Sequence, residues 1–285
     1  AVTAGARKII EAAGGSVEIA FNTLTLEMVL NSEVHLNIDG DADLKSALAQ
    51  TLIIDGENGP TGILDLNASG DVSFHNIIVR NMGVLDIDAG GSIAGDVLDA
   101  QPDGDAIDLD AGGDIDIGTV ALSGADTRMT AGDNVRMVDL TARSGDLAVT
   151  AGGDIRLDGN LILDSQKATF TALDGEFKVL GYASITGNIL SSDGKKIRSD
   201  ATVLARTDIG IGRHTALSDS TLDMVAETGA ISFGGAVETL DAVLHLNAAT
   251  DILFADTVLL VGTTTGPKDL RAGRDIAFAG TLTID

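Results

Sequence analysis

Residues Ile107 to Ile115 read IDLDAGGDI, and the chain continues Asp116-Ile117-Gly118-Thr119-Val120-Ala121-Leu122. Apolar side chains fall at 107, 109 and 111, then at 115 and 117, then at 120 and 122. A period of two places such residues on one face of an extended strand. Each alternating stretch covers only about three to five residues, too little for a strand that stands alone. The Gly-rich breaks between them turn the chain.

The same phrase, apolar-x-apolar-x-Ala-Gly-x-Asp-apolar, recurs along the chain. It is clear from Leu64 to Val72, Leu85 to Ile93, Thr127 to Val135, Leu147 to Ile155, Ala201 to Ile209, Leu244 to Ile252 and Lys268 to Ile276. Degenerate copies close at Val17, Leu44, Phe177 and Ile231. Closing residues follow one another at 20 to 32 residues, most often at 20 to 22. A period near 21 with occasional longer steps describes a solenoid with loops of varying length. The expected fold is therefore all-β: a single parallel β-helix over 1–285, of about a dozen coils of about 21 residues. Neither the Leu-x-x-Leu-x-Leu frame of a leucine-rich repeat nor tandem GGxGxD nonapeptides occur.

Physical chemistry accounts for each position of the phrase. Inward Val, Ile and Leu stack on their counterparts one coil away, roughly 4.8 Å, and exclude water. Gly suits a corner that needs φ > 0. The Asp at 43, 71, 114, 154, 208, 251 and 275 is expected to bond to the backbone of its own turn. Stacked carboxylates repel by roughly 0.9 kcal/mol per neighbouring pair even at the dielectric of water. Ser16, Ser92, Asn134 and Ala230 interrupt the column and limit that repulsion.

Composition agrees. The chain is 44% apolar but 3% aromatic, with no Trp, so the core is built from aliphatic residues. Thirty-five Gly against three Pro make the turns glycine-rich. With 43 Asp and Glu against 18 Lys and Arg the formal charge is -25. Such a charge repels phosphate backbones and anionic membranes, so nucleic acid is not expected as a partner. The absence of Cys excludes disulfides and thiol chemistry and suits passage through an oxidising periplasm. No stretch approaches the ~18 apolar residues of a membrane helix, and an export signal is expected to lie outside these residues.

At its AGGDI phrases, Ala111–Ile115 and Ala151–Ile155, the chain resembles the filamentous-haemagglutinin-like exoproteins of two-partner secretion. That resemblance extends over essentially all 285 residues. It implies a right-handed β-helix, export through a dedicated outer-membrane transporter to the cell surface or medium, and a role in adhesion, biofilm formation or contact-dependent competition. The family's secretion domain typically carries NPNG-like and NPNL-like segments, whereas no Asn-Pro dipeptide occurs here. The chain therefore looks like shaft, a fragment of a longer solenoid whose uncovered ends would associate end to end in isolation.

The search for chemistry is less productive. His35, His75, His214 and His245 show no metal-ligand spacing, and His35 and His245 alternate onto an outward face. No phosphate loop occurs, so no cofactor is expected. The run Asp39-x-Asp41-x-Asp43 lacks the Gly and Glu of an EF-hand. It remains, with Asp103, Asp105, Asp108 and Asp110, a candidate for surface calcium. The longest departure from the repeat, 180–201, holds Tyr182, Lys195, Lys196 and Arg198 and reads as a projecting loop, a candidate for ligand binding. Catalysis is not expected. The alternative is a β-helical polysaccharide lyase or hydrolase, whose site would assemble from paired carboxylates on one face.

Overall fold

The structure is a computed structural model. It describes residues 8–12, 17–18, 27–30, 33–44, 51–56, 62–101, 106–164, 167–186, 189–190, 196–197, 199–262 and 267–285, with backbone only before 33 and over 189–197. The described residues form no helix; parallel strands stack as a β-solenoid of about nine turns. This is slightly below the dozen expected. The apolar residues of Lys268–Ile284 are half-buried or exposed.

The chain divides into two compact units, 1–133 and 134–285. In the first, one wall consists of Lys8–Ala12, Glu33–Ile38, Ile63–Ala68, Val84–Ala89, Ala106–Ala111 and Asp126–Ala131, each parallel to the next and in register. The opposing wall includes Val72–Arg80, Ile93–Ala100 and Ile115–Ser123. In the second unit the first wall is Asp146–Ala151, Lys167–Ala172, Ser199–Ala205, Ser220–Ala226, Val243–Ala248 and Lys268–Ala272. Its opposing wall begins with Val135–Arg143. There each later coil is broken into two short strands, such as Ile155–Leu157 and Leu161–Asp164.

Alternation decides what lies inside. Leu66, Ile87, Leu109 and Met129 form one inward ladder, and Ala68, Ala89, Ala111 and Ala131 another where the wall bends. Burying each large aliphatic chain contributes roughly 1.5–3 kcal/mol. Phe74, Phe170, Phe177, Phe233 and Phe254 are also buried, and Phe233, Phe254 and Phe278 stack ring on ring at 5.1 and 4.8 Å. Leu109, Ile115, Val135, Val149, Ile155, Val203, Ile209, Leu246 and Ile252 are buried as the phrase requires. Ile276 is in register with Ile252 but 40% exposed, because no later turn of this chain lies on it.

Two local readings are corrected. The early copy closes at Ala42, which pairs with Val72, so Asp41 and not Asp43 stands in the corner column above Asp71. The sizes of two positions are exchanged there: Ile38 stands where its partner is Ala68, and Ala42 where its partner is Val72. The second correction concerns glycine. Of the Gly in the described phrase corners only Gly40 has positive φ. Close approach explains the others: a Cβ on Gly112 would strike the carbonyl oxygen of Gly90 one coil away, and one on Gly91 the Asp71 carboxylate.

Candidate functional site

The corner column shows what most phrase carboxylates do. Oδ1 of Asp41 accepts from the backbone N–H of Asp71 at 2.9 Å, and Oδ1 of Asp71 from that of Ser92 at 2.8 Å. The Ser92 hydroxyl accepts from the N–H of Asp114 at 3.1 Å. In the second unit Asn134, Asp154 and Asp208 accept likewise from Asp154, Glu176 and Ala230 at 2.7–2.8 Å. The expected bond within the residue's own turn is thus replaced by one to the next coil. The reason is geometric: parallel stacking brings the equivalent N–H of the neighbouring coil within reach.

Asp39 and Asp43 are engaged in the same way, accepting from the hydroxyls of Ser69 at 3.2 Å and Ser73 at 3.0 Å. The run Asp39, Asp41, Asp43 therefore ties one coil to the next. Asp103 and Asp105 lie outside the described residues. Among the described residues no group of three or more His, Cys, Asp or Glu is arranged to hold a metal ion.

The segment 180–201 contributes the buried pair Ala183 and Ile185 to the wall, then an antiparallel pair, Ile189–Leu190 with Lys196–Ile197. Tyr182 is 40% exposed beside it, its backbone N–H donating to Asn160 Oδ1 at 3.2 Å. Lys195 and Arg198 lie outside the described residues, as does the side chain of Lys196.

A different place gathers functional groups. On the outward face of the first unit, strict register stacks His35, Asp65, Asp86, Asp108 and Arg128 in one column. Asn37, Asn67, Asp88, Asp110 and Thr130 form the next. Asn37, Asn67, Asp88 and Asp110 of the second column line an open groove of about 990 Å³ that Asp39 and Ser69 border. Nitrogen groups sit against the carboxylates at both ends of the first column. His35 Nδ1 lies 2.5 Å from Asp65 and its Nε2 2.7 Å from Glu33, while Arg128 forks onto Asp108 at 2.6–3.0 Å.

The middle strand, Val84–Ala89, holds no such group of its own. Burial, then the charges of Asp88, Asp108 and Asp65, push the Asp86 carboxyl above its ordinary value against the opposing pull of Arg128. Burial, then Asp110, Asp108 and Asp65, do the same to Asp88. The face offers carboxylate acceptors from Asp65 to Asp110, and its two central carboxyls bind protons more readily than free ones. Asp108 and Asp110 were singled out in the sequence; Asp65, Asp86 and Asp88 were not. The signal available was the repeated Asp-x-Asp just before the phrase Ala at 86–88 and 108–110.

The second unit carries a smaller column of opposite sign, Arg136, Arg156 and Lys178. Asp158 bridges Arg136 and Arg156, and Lys178 stands 3.6 Å from Glu176. The hydrogen bonds from Arg156 and then Arg136 hold the Asp158 carboxyl below its ordinary value.

Fold and corner bonding together define a β-helical repeat protein. No family model matches the chain, and no curated protein or solved structure matches it.

Proposed function

We propose that this chain is a structural and adhesive shaft module of a large exported bacterial surface protein of the filamentous-haemagglutinin-like kind, delivered by an outer-membrane transporter of the two-partner type. One observation carries the reading: the recurring corner carboxylates bond to the backbone of the following coil, so the repeated polar positions serve the stack itself. A module of this kind sets reach and presents its outward columns to a surface ligand.

The test is immunogold labelling, with antibodies to this chain, of intact cells that make it, together with an attachment assay on cells in which its coding region is deleted. Label outside the outer membrane and weaker attachment are expected. Label confined to the cytosol would overturn the reading.

The groove beside Asp88 and Asp110 favours one second reading, an extracellular glycan lyase or hydrolase that uses Asp88, whose carboxyl is pushed above its ordinary value, as general acid. Depolymerisation of a polysaccharide by the purified chain, abolished by Asp88→Asn, would promote it above the shaft.

A further inference from the structure

The fold leaves the outward carboxylates of the first unit no freedom to separate. Parallel strands in register hold Asp65, Asp86 and Asp108 one above another, and Asp88 above Asp110, at a rise of roughly 4.8 Å per strand. Every residue of these columns stands directly between the same positions of its neighbours, so backbone pairing sets the spacing and the side chains must accept it.

The charged groups around the central strand can be named element by element. Glu33–Ile38 brings Glu33 and His35, and Ile63–Ala68 brings Asp65. Val84–Ala89 itself holds Asp86 and Asp88, and Ala106–Ala111 brings Asp108 and Asp110. Asp126–Ala131 brings Asp126 and Arg128, and Asp39 stands at the border of the groove. The His35 ring and the Arg128 guanidinium sit at the two ends and bond to Asp65 and Asp108. Asp86 and Asp88 in the middle face mainly other carboxylates.

We propose that this acidic double column is a pH-sensitive element of the fold: protons taken up at Asp86 and Asp88 tighten the first unit, and their loss toward neutral pH loosens it. The direction follows from linkage. Both carboxyls have an ordinary value of 3.8 and are raised in the folded chain. Their contribution to stability is fully present below 3.8 and is lost as pH rises through the raised folded values. In the second unit Asp158 runs the other way: its lowered value means a contribution present above 3.8 and lost as pH falls through the folded value. Acidification toward 3.8 therefore strengthens the first unit, and the loss at Asp158 in the second begins only below 3.8. The element holds for a shaft and for an enzyme alike, because it depends only on strand register.

Hydrogen exchange of the whole chain, corrected for the intrinsic pH dependence of exchange, tests this at about pH 7 and about pH 4, where the contribution of the two carboxyls is close to complete. Protection of Val84–Ala89 and Ala106–Ala111 is expected to rise on acidification, while that of Ser220–Ala226 does not. The double variant Asp86→Asn, Asp88→Asn should be protected at neutral pH as the parent chain is in acid, with no further response. His35→Gln should keep the response, which separates the carboxyls from the imidazole beside them. Unchanged or falling protection of the parent's two strands on acidification would overturn the proposal, as would a full response in the double variant or its loss in His35→Gln. Asparagine has the shape of aspartate at both positions, and the comparison of the parent chain with itself needs no variant at all.

Discussion

The two outward positions of the phrase strand carry different chemistry in the two units. In the first they read His35, Asp65, Asp86, Asp108, Arg128 and Asn37, Asn67, Asp88, Asp110, Thr130. In the second they begin Ala148, Thr169, Thr202, Asp223 and Thr150, Thr171, Leu204, Val225. The inward positions between them hardly change: Leu66, Ile87, Leu109 in one, Val149, Phe170, Val203, Met224 in the other, all buried. Inward positions and corners are thus sufficient for the fold, and the outward columns are free to carry charge or to lack it. Ladders of Thr, whose branched side chains suit a pleated surface, carry no such electrostatic penalty.

The largest test of that division is a matched pair in the core. Leu109→Ala in the first unit and Leu246→Ala in the second should each cost about 2–5 kcal/mol by denaturant unfolding, since both side chains are buried and must leave a cavity. A cost confined to one unit would break the claim that the inward positions are equivalent. Next come the corners. Asp71→Ala and Asp208→Ala should each cost about 1 kcal/mol, for the loss of one bond to the following N–H. Asp71→Ser should recover part of it, because Ser92 already fills that role naturally.

Smaller effects sharpen the contrast between the outward columns. Thr169 and Thr202 are in register, so Thr169→Asp with Thr202→Asp should give the second unit a rise of protection in acid and cost it roughly 0.9 kcal/mol or less at neutral pH. Salt of about 1 M, where the screening length is roughly 3 Å, should shrink that effect and the response of the first unit. The smallest effect is expected of Arg128→Ala. This exposed cation pairs with Asp108, and its loss should cost about 0.2–1 kcal/mol at neutral pH while enlarging the gain on acidification. A smaller gain would mean that Arg128 does not moderate Asp86.

Much of this architecture was legible in the sequence, because inward burial follows from period-two alternation that any coil repeats. The early copy misled because the large residue is at Ile38 and the small one at Ala42, so apolar size alone chose the wrong closing residue. Corner bonding was read as local, since a sequence shows a turn but not the N–H stacked against it. The acidic face was half visible as Asp108 and Asp110. Its remainder, Asp65, Asp86 and Asp88, falls at the same phrase positions in the copies opening at Leu64 and Leu85, but alignment alone does not show which of the stacked carboxylates lack a basic partner. The departure at 180–201 was visible as a break in the repeat, but its antiparallel strand pair was not, because two-residue strands leave no periodic trace.

The corner bond has a consequence for how such a chain can change in length over generations. Its acceptor is one side chain, but its donor is a backbone N–H, supplied here by residues as different as Asp71, Ser92, Glu176 and Ala230. Any amino acid except proline can furnish that half of the joint. A whole coil that keeps its corner acceptor and its inward apolar positions can therefore be duplicated or lost, and its neighbours will find the same joint waiting. Coils become interchangeable parts, and the stack can be lengthened or shortened by copying alone, without any new interface having to arise.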